Sequence, residues 1–233
     1  QLTVAFNGPA SADMAAGAKD VELLNYTMSA AANVEVRRSI IAFTLVGGAA
    51  ADYTDIKVMD TATGATVAGP VSLTACPGNT CTFNEIYNLA AGQARTFKVT
   101  ADISNGATNN ATIRPTLNAF VGANIRNLDN STYLANTDIV PSSNVVGNTF
   151  TVKVPTLTMA VAATPVAQTF IQGSSIDAMG MTLTAGTGGD AKVNTIKVSG
   201  FVDPLANGGA TKGCGVEGGE TKYMTDIVMT GSL

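Results

Sequence analysis

The chain has 233 residues, which suits one or two domains, and its 45% hydrophobic content argues against wholesale disorder. It has no His and no Trp, a net charge of −4, and no basic cluster longer than Arg37-Arg38. Without His the usual catalytic triads and most zinc sites are excluded, so we assign no catalytic residue and expect no enzyme. Nucleic acid is a poor partner without a basic stripe, and no apolar run reaches the ~18 residues of a membrane span.

Short alternating segments separated by Gly- and Asn-rich turns predict one strand after another. Apolar residues alternate in residues 2–6, 21–28, 41–45, 56–58, 97–99 and 150–154. Thr and Val dominate these segments, as a half-buried pleated surface favours. Residues 14–19 are interrupted by Gly17 and are expected to form a loop or a single turn. The pattern predicts an all-β fold, a sandwich or Greek-key barrel, with about nine strands in residues 1–154.

One strand changes phase in the middle. The apolar residues Val21 and Leu23 are at odd-numbered positions, whereas Leu24, Tyr26 and Met28 are at even-numbered positions. A single extra residue in one strand produces this change, so the pattern predicts a β-bulge.

The sequence also repeats itself. Leu2-Thr3-Val4-Ala5-Phe6 returns as Leu157-Thr158-Met159-Ala160-Val161, an offset of 157 − 2 = 155. The same offset relates Val21, Leu24, Tyr26, Met28, Ile41 and Phe43 to Ile176, Met179, Met181, Leu183, Ile196 and Val198. Thr54-Asp55-Ile56 matches Thr225-Asp226-Ile227 after about 16 extra residues. We therefore predict tandem modules, 1–154 and 155–233, of which the second is only the first half of a homologous module.

An incomplete module leaves its apolar faces bare. We expect the missing strands to come from sequence after Leu233 or from a neighbouring chain. We interpret Met28, Met159, Met179, Met181 and Met224 as core residues rather than a metal or binding stripe. The joint at 154–156 is short and stiffened by Pro155, so the last strand of one module should run almost directly into the first strand of the next.

The cysteines favour an oxidising compartment. Cys76 and Cys81 enclose a Pro-Gly turn, and we predict a disulfide between them, with two free thiols or a partial metal site as the alternatives. Cys214 lies in the Gly-rich extra segment of the second copy. It either pairs with a cysteine outside this sequence or is a free thiol.

Two further sets of residues are weak candidates for sites. Asp52, Asp55 and Asp60 cluster near a strand start and would be the ligands if calcium is bound, although solvated surface acids are the preferred interpretation. No other cofactor is expected. Sequons occur at Asn25, Asn110 and Asn130, of which Asn110 and Asn130 are the glycosylation candidates. Chance occurrence is favoured in a chain this rich in Asn and Thr.

Two motifs carry a resemblance to a known family. They are Tyr53-Thr54-Asp55-Ile56-Lys57-Val58-Met59-Asp60 with Thr66-Val67-Ala68-Gly69-Pro70, and the segment that runs from Leu89-Ala90-Ala91-Gly92 to Ala101-Asp102-Ile103. They resemble the Ig-like β-sandwich modules of prokaryotic cell-surface, S-layer-type and extracellular filament proteins. The resemblance implies a structural or adhesive role outside the cell and transfers no catalytic residue.

Three functions compete on these observations. The leading one is a structural subunit of an extracellular filament, sheath or surface layer, whose partners are copies of itself. The second is an adhesin or carbohydrate-binding stalk, with a glycan as partner; an aromatic content of 6% and the lack of Trp count against sugar stacking. The third is a non-catalytic module of a secreted hydrolase.

Overall fold

The computed structural model describes residues 1–169, 171, 174–186, 188–189 and 191–197, and the backbone of 201–202 and 212–213. This part of the protein is all-β, which confirms the predicted fold class, and it contains no α-helix. The strands are β1 Leu2–Gly8, β2 Ala12–Ala15, β3 Val21–Ala30, β4 Val34–Val36, β5 Ser39–Val46, β6 Tyr53–Asp60, β7 Thr66–Val71, β8 Thr80–Phe83, β9 Tyr87–Leu89, β10 Ala94–Ile103, β11 Thr112–Leu117, β12 Ile125–Asn127, β13 Ile139–Val140, β14 Val145–Val146, β15 Phe150–Lys153, β16 Leu157–Val161, β17 Met181–Ala185, β18 Phe201–Val202 and β19 Lys212–Gly213. Single turns of 3-10 helix occupy Ala50–Asp52, Leu73–Ala75, Pro77–Asn79, Gly122–Asn124 and Asn136–Asp138.

Residues 1–154, which we call module 1, form a sandwich-like arrangement of two large sheets. The first sheet has the order β13-β1-β3-β10-β6-β7 and the second the order β2-β15-β11-β5-β8, with β14 paired to β11. A small sheet, β12-β4-β9, completes the module. The apolar residues of both large sheets meet in one buried cluster, which includes Tyr26 and Phe97 from the first sheet and Ile113 and Val152 from the second.

The first sheet is built around two long central strands, β3 and β10, each of ten residues. They run antiparallel, and Tyr26 lies opposite Phe97 with the ring centroids 5.6 Å apart. The ring of Tyr87 also packs on Phe97, with the ring centroids 5.1 Å apart. Tilted aromatic pairs of this kind add about 0.5–1.5 kcal/mol beyond the burial of their area. β10 therefore anchors β3 in the core.

The predicted β-bulge is present in β3. Val99 of β10 lies opposite Leu24, but the next residue, Thr100, lies opposite Glu22. Leu23 is the extra residue, and both Leu23 and Leu24 are buried. The bulge lets two adjacent leucines point into apolar surroundings, which regular alternation forbids.

The chain enters and leaves module 1 at opposite ends of the first sheet. At the end where β10 begins, the backbone amide of Ala31 donates to the Gln1 carbonyl at 3.0 Å. At the end where β10 finishes, Ala16 donates to the Lys153 carbonyl at 2.9 Å, and the nearby Ala18 carbonyl accepts from the last residue of β10. Ten residues of strand separate these ends by about 33 Å.

One expectation about module 1 is wrong, and another is confirmed only for residues 16–19. It contains fifteen strands rather than about nine, because many of them have only two to four residues and are too short to show alternation. The expected loop at 14–19 begins inside a strand, because β2 reaches Ala15 and pairs in parallel with β15. The partner of β2 lies more than a hundred residues away, so local sequence carries no signal for the pairing.

Contacts divide the chain into two units, Gln1–Ala191 and Lys192–Leu233. β16 and β17 belong to the first unit, and β18 pairs antiparallel with β19 in the second. β15 ends at Lys153 and β16 begins at Leu157, so the strands follow each other across a joint of three residues, as predicted. The module boundary at 154/155 stays a prediction. No helix among the described residues is long and apolar enough to cross a membrane.

Candidate functional site

The candidate functional site is the antiparallel pair formed by β16 and β17, which we call the ribbon. In the described part of the chain these two strands form a sheet of their own. The opposed residues are Leu157 with Ala185, Thr158 with Thr184, Met159 with Leu183, Ala160 with Thr182, and Val161 with Met181. Side chains alternate between faces along a strand, so the odd-numbered residues share one face and the even-numbered residues share the other. The odd-numbered face is entirely apolar.

The apolar face of the ribbon is exposed. Met159 is 70% exposed, Val161 is 80% exposed, and even Leu183 is 37% exposed. The expectation that Met159 and Met179 are core residues is therefore wrong for the described residues, where Met179 is 52% exposed. The physical reason is that no described strand lies over this face, so its side chains have nothing to pack against.

The ribbon has the same register as β1 and β3. In module 1, Leu2 lies opposite Ala30, Val4 opposite Met28, and Phe6 opposite Tyr26, with the intervening residues paired in step. Adding 155 to each number gives Leu157 with Ala185, Met159 with Leu183 and Val161 with Met181, and each of these is a pair in the ribbon. The separation of the paired residues is also the same, since 26 − 6 = 181 − 161 = 20. The offset found in the sequence therefore relates two pairings of identical register.

In module 1 the equivalent face is covered. Leu2 and Met28 are fully buried and Val4 is 6% exposed, because the second sheet packs over them. The cover ends at Phe6, the equivalent of Val161, which is 40% exposed. The outer edge of β3 is also covered, since β10 pairs with it along almost its whole length. Neither cover is present over the ribbon among the described residues.

The edges of module 1 and of the ribbon differ in chemistry. The edge strand β7 contains Pro70 and two shifts of register, and the opposite edge strand β13 has two residues followed by Pro141. Short, irregular or proline-containing edges resist pairing with other chains. The ribbon strands contain no Pro, no charged residue and no register shift. They therefore present regular edges without these protective features.

The predicted calcium ligands are not brought together. Asp55 lies instead with Asp20 and Asp102, which form the one group of three possible metal-ligating residues in the described part of the chain. The ammonium of Lys57 lies 2.6 Å from the carboxylate of Asp20 and 2.7 Å from that of Asp55, and Lys19 lies 2.9 Å from Asp102. Two cations thus already neutralise most of the charge of this group. Calcium binding stays a prediction without geometric support from the predicted trio.

Charge and burial explain the titration of this group. Hydrogen bonds to Asp20 and Asp55 raise the pKa of Lys57 well above its usual value. Burial raises the pKa of Asp102, but hydrogen bonds from the Asp20 amide and from Lys19 outweigh it and lower the pKa overall. These ion pairs tie the start of β3 to β6 and β10 at one end of the sheet.

Asp52 and Asp60 have other roles. Asp52 accepts a hydrogen bond from the amide of Ala49 at 2.9 Å and closes the turn before β6. Asp60 is buried, and its carboxylate accepts from Nε of Arg95 at 2.9 Å. Burial raises the pKa of Asp60, but the bonds from Arg95 and from the amides of Ala62 and Thr63 lower it overall. The ion pair joins β6 to β10.

The predicted disulfide is present between Cys76 and Cys81, whose Cα atoms are 4.7 Å apart. It closes the turn at Pro77–Asn79, next to the start of the edge strand β8. Both cysteines are buried. Cys214 lies outside the described residues, so its partner stays a prediction.

The two glycosylation candidates lie on exposed loops. The side-chain oxygen of Asn110 accepts from Lys153 at 2.9 Å, and that of Asn130 accepts from the Thr132 hydroxyl at 2.7 Å. Asn25 is half-buried in β3 and its amide donates to Glu22 at 3.1 Å, so it is a poor acceptor for a glycan. Glycosylation at Asn110 and Asn130 stays a prediction.

A shallow pocket of about 310 Å³ has no counterpart in the sequence expectations. Its lining residues are Arg37, Arg38, Asn84, Ile86, Ala123 and Asn124. Nε of Arg38 donates to Asn84 at 3.0 Å, and Arg37 donates to the hydroxyl of Tyr133, so both guanidinium groups are held in place. The pair Arg37-Arg38 stands out in the sequence as its longest basic cluster. Only the fold brings Asn84 and Asn124 beside it.

Comparisons with known proteins add little to this geometry. No family model matches the chain, and no curated protein matches it. Among solved structures it is similar to the Streptococcus agalactiae AgI/II polypeptide BspA C-terminal domain, with a TM-score of 0.23 and 9% sequence identity. That match covers 69% of this chain and 52% of the other, about half its length. A likeness this weak carries no argument, so function is argued from the residues.

Proposed function

We propose that this chain is a structural subunit of an extracellular assembly, a filament, sheath or surface layer, built from tandem β-sandwich modules and joined by β-strand complementation. One observation carries the proposal. The ribbon repeats the register of β1 and β3 at an offset of 155, yet the face that module 1 buries is bare in the ribbon. A pairing of this kind is the start of a sandwich that needs further strands.

The energetics favour completion of the ribbon. Burying a large aliphatic side chain contributes at least about 1.5 kcal/mol. Five such side chains point from the apolar face: Leu157, Met159, Val161, Met181 and Leu183. Several of them are already partly buried, so covering the face would contribute roughly 4 kcal/mol, about half of the value for five fully exposed side chains. Strands that cover this face are therefore stabilised by it.

The ends of module 1 suit a serial assembly. The chain enters at one end of the first sheet and leaves at the other, and three residues separate β15 from β16. Modules joined in this way follow one another along a line. The Cys76–Cys81 disulfide supports an oxidising, extracellular location.

Assembly of the purified chain tests the proposal. We expect ordered polymers by negative-stain electron microscopy and concentration-dependent growth by light scattering. Met159→Asp should abolish them, because it places a charge on the apolar face, whereas Thr158→Asp on the other face should retain them. The circular dichroism of module 1 should be the same in both variants.

Two results would contradict the proposal. One is a purified chain that stays monomeric at every concentration tested. The other is assembly that Met159→Asp and Thr158→Asp reduce equally, since the apolar face would then have no special part in it.

The second candidate, an adhesive module, is favoured by the pocket beside Arg37 and Arg38. Two fixed guanidinium groups with neighbouring Asn84 and Asn124 suit the carboxylate and hydroxyl groups of an acidic sugar. Binding to uronic-acid glycans that Arg38→Ala removes and Arg114→Ala retains would support this candidate. Equal binding to neutral glycans would count against it.

A further inference from the structure

We infer that the free edge of β17 accepts a strand with the chemistry of β10, which runs antiparallel to β17 and places its phenylalanine position opposite Met181. The inference deepens the proposed function, on which it rests for the role of the ribbon in an assembly. Its basis is the register that the ribbon shares with β1 and β3. In module 1, the strands that pair with the outer edges of β1 and β3 show which partner each edge of the ribbon lacks.

Within the described part of the chain, no strand pairs with the outer edge of β17. In module 1, β3 pairs with β10 from Ala94 opposite Ser29 to Ala101 opposite Val21, whereas β1 meets β13 at only two positions. The equivalent edge of β16 therefore needs almost no partner. The edge of β17, which has five residues, pairs in the same register with the positions equivalent to Ala94–Phe97 of such a strand.

The side chains of β17 retain the features that β3 offers to β10. Thr27 lies opposite Thr96, and their hydroxyl oxygens are 2.9 Å apart. The residue equivalent to Thr27 is Thr182, so the hydroxyl is retained. Tyr26 lies opposite Phe97, and its equivalent Met181 also offers an apolar side chain.

The donor must have alternating chemistry. The segment Ala94–Ile103 reads Ala-Arg-Thr-Phe-Lys-Val-Thr-Ala-Asp-Ile, and its residues Phe97, Val99, Ala101 and Ile103 are buried. A donor of this type covers Met181 with a large apolar side chain and offers a hydroxyl to Thr182. Packing the apolar face against the same face of a second ribbon is a weaker solution, because it leaves the backbone groups at the edge of β17 without a strand partner.

Cysteine cross-linking tests both direction and register. The probe is a synthetic peptide with the sequence of residues 94–103 in which the Thr96 position is Cys. The protein is the full chain with Cys214→Ser and Thr182→Cys, so that the engineered thiol is the reactive one. Opposed Cα atoms in antiparallel strands are about 4.5–5.5 Å apart, which a disulfide spans. We expect cross-linking under a glutathione buffer.

Matched controls decide the result. Thr184→Cys, two residues along the same face, should cross-link at least about tenfold more slowly, because it lies opposite the Ala94 position of the donor. A peptide that also carries Phe97→Asp should lose cross-linking at Thr182→Cys. Leu183→Lys should weaken binding of the unmodified peptide roughly tenfold or more by fluorescence anisotropy, through loss of apolar burial.

The outcomes separate this inference from the proposed function. Equal cross-linking at Thr182→Cys and Thr184→Cys, or none at either, overturns the inference. Polymers that form from the chain and that excess peptide fails to shorten also overturn it, while the proposed function stands. If the peptide cross-links in register to a chain that never polymerises, the inference is supported and the proposed function in an assembly is overturned.

Discussion

The β1–β3 pairing and the ribbon are two copies of one arrangement with opposite surroundings. Val4 is 6% exposed and its equivalent Met159 is 70% exposed; Leu2 is fully buried and its equivalent Leu157 is 46% exposed. Both pairings nevertheless have the same register. The difference shows that the register of two strands follows from their own sequence, whereas burial is supplied by strands that come much later in the chain.

The later strands also stabilise the pairing of β1 with β3. A two-stranded ribbon is marginal alone in water. In module 1, β10 stabilises β3 through the packing of Phe97 on Tyr26, and the ion pair of Arg95 with Asp60 holds β10 on β6. The ribbon has the equivalents of β1 and β3 but, among the described residues, no strands that cover them. Substitutions at equivalent positions of the two regions should therefore have different effects on stability.

The largest effect is expected for Val4→Asp. The change removes a buried apolar side chain and places a carboxylate in the core, so module 1 should lose roughly 4 kcal/mol or more of its free energy of unfolding. Urea denaturation followed by circular dichroism measures this loss. A loss below about 1 kcal/mol would mean that Val4 is not packed as described.

A smaller effect is expected for Asp60→Ala, which leaves the Arg95 guanidinium without its carboxylate. Breaking a buried ion pair costs about 3–5 kcal/mol, and because Arg95 is partly exposed we expect roughly 3 kcal/mol. Hydrogen exchange should rise along β10 and β6 more than along β5. Asp52→Ala, in an exposed turn, is the matched control and should cost much less.

The same ion pair predicts a pH dependence of stability. The pKa of Asp60 is lower in the folded state than the ~3.9 of an unfolded Asp, so the unfolded state binds more protons in this range. The contribution is fully present above pH ~4 and is lost as the pH falls through the folded pKa. The wild type should lose stability over this range more steeply than Asp60→Ala, as measured by urea midpoints. Parallel curves would contradict the assignment.

Reduction of the Cys76–Cys81 disulfide should destabilise module 1 by about 2 kcal/mol, since the loop it closes is short. Thermal unfolding with and without dithiothreitol measures the effect. The ribbon should be unaffected, with the same hydrogen exchange at residues 181–185 in both states. A change there would mean that the two regions are coupled.

The smallest effect on stability is expected for Met159→Asp, which should leave the free energy of unfolding of module 1 within about 0.5 kcal/mol of the wild type. The side chain is exposed, so the charge stays in water. The difference in free energy of unfolding between Val4→Asp and Met159→Asp measures how much of the destabilisation comes from placing the charge in a buried position. A cost equal to that of Val4→Asp would show that the apolar face is covered in solution.

The sequence predicts the features that depend on local pattern. Alternation of apolar residues predicts the long strands, and the change of phase at Leu23 and Leu24 predicts the bulge that the structure contains. The offset of 155 aligns β16 with β1 and β17 with β3, and the two pairings share one register. The short turn between Cys76 and Cys81 is likewise sufficient to predict their disulfide.

Features that depend on distant pairing do not follow from the sequence. Asp20, Asp55 and Asp102 lie on different strands or beside them, and only the sheet order places them around Lys57. An aspartate such as Asp60 at a strand end resembles a surface acid until its partner on the adjacent strand β10 is known.

The separation of entry and exit has a mechanical consequence. Hydrogen bonds between strands lie across the strand direction. Tension applied at Gln1 and after Lys153 pulls along β1 and β15, so it loads the bonds of β1 with β3, and those of β15 with β2, in shear rather than one at a time. Bonds loaded together must break together. A string of such modules would therefore bear a pulling force with little extension until a whole sheet gives way.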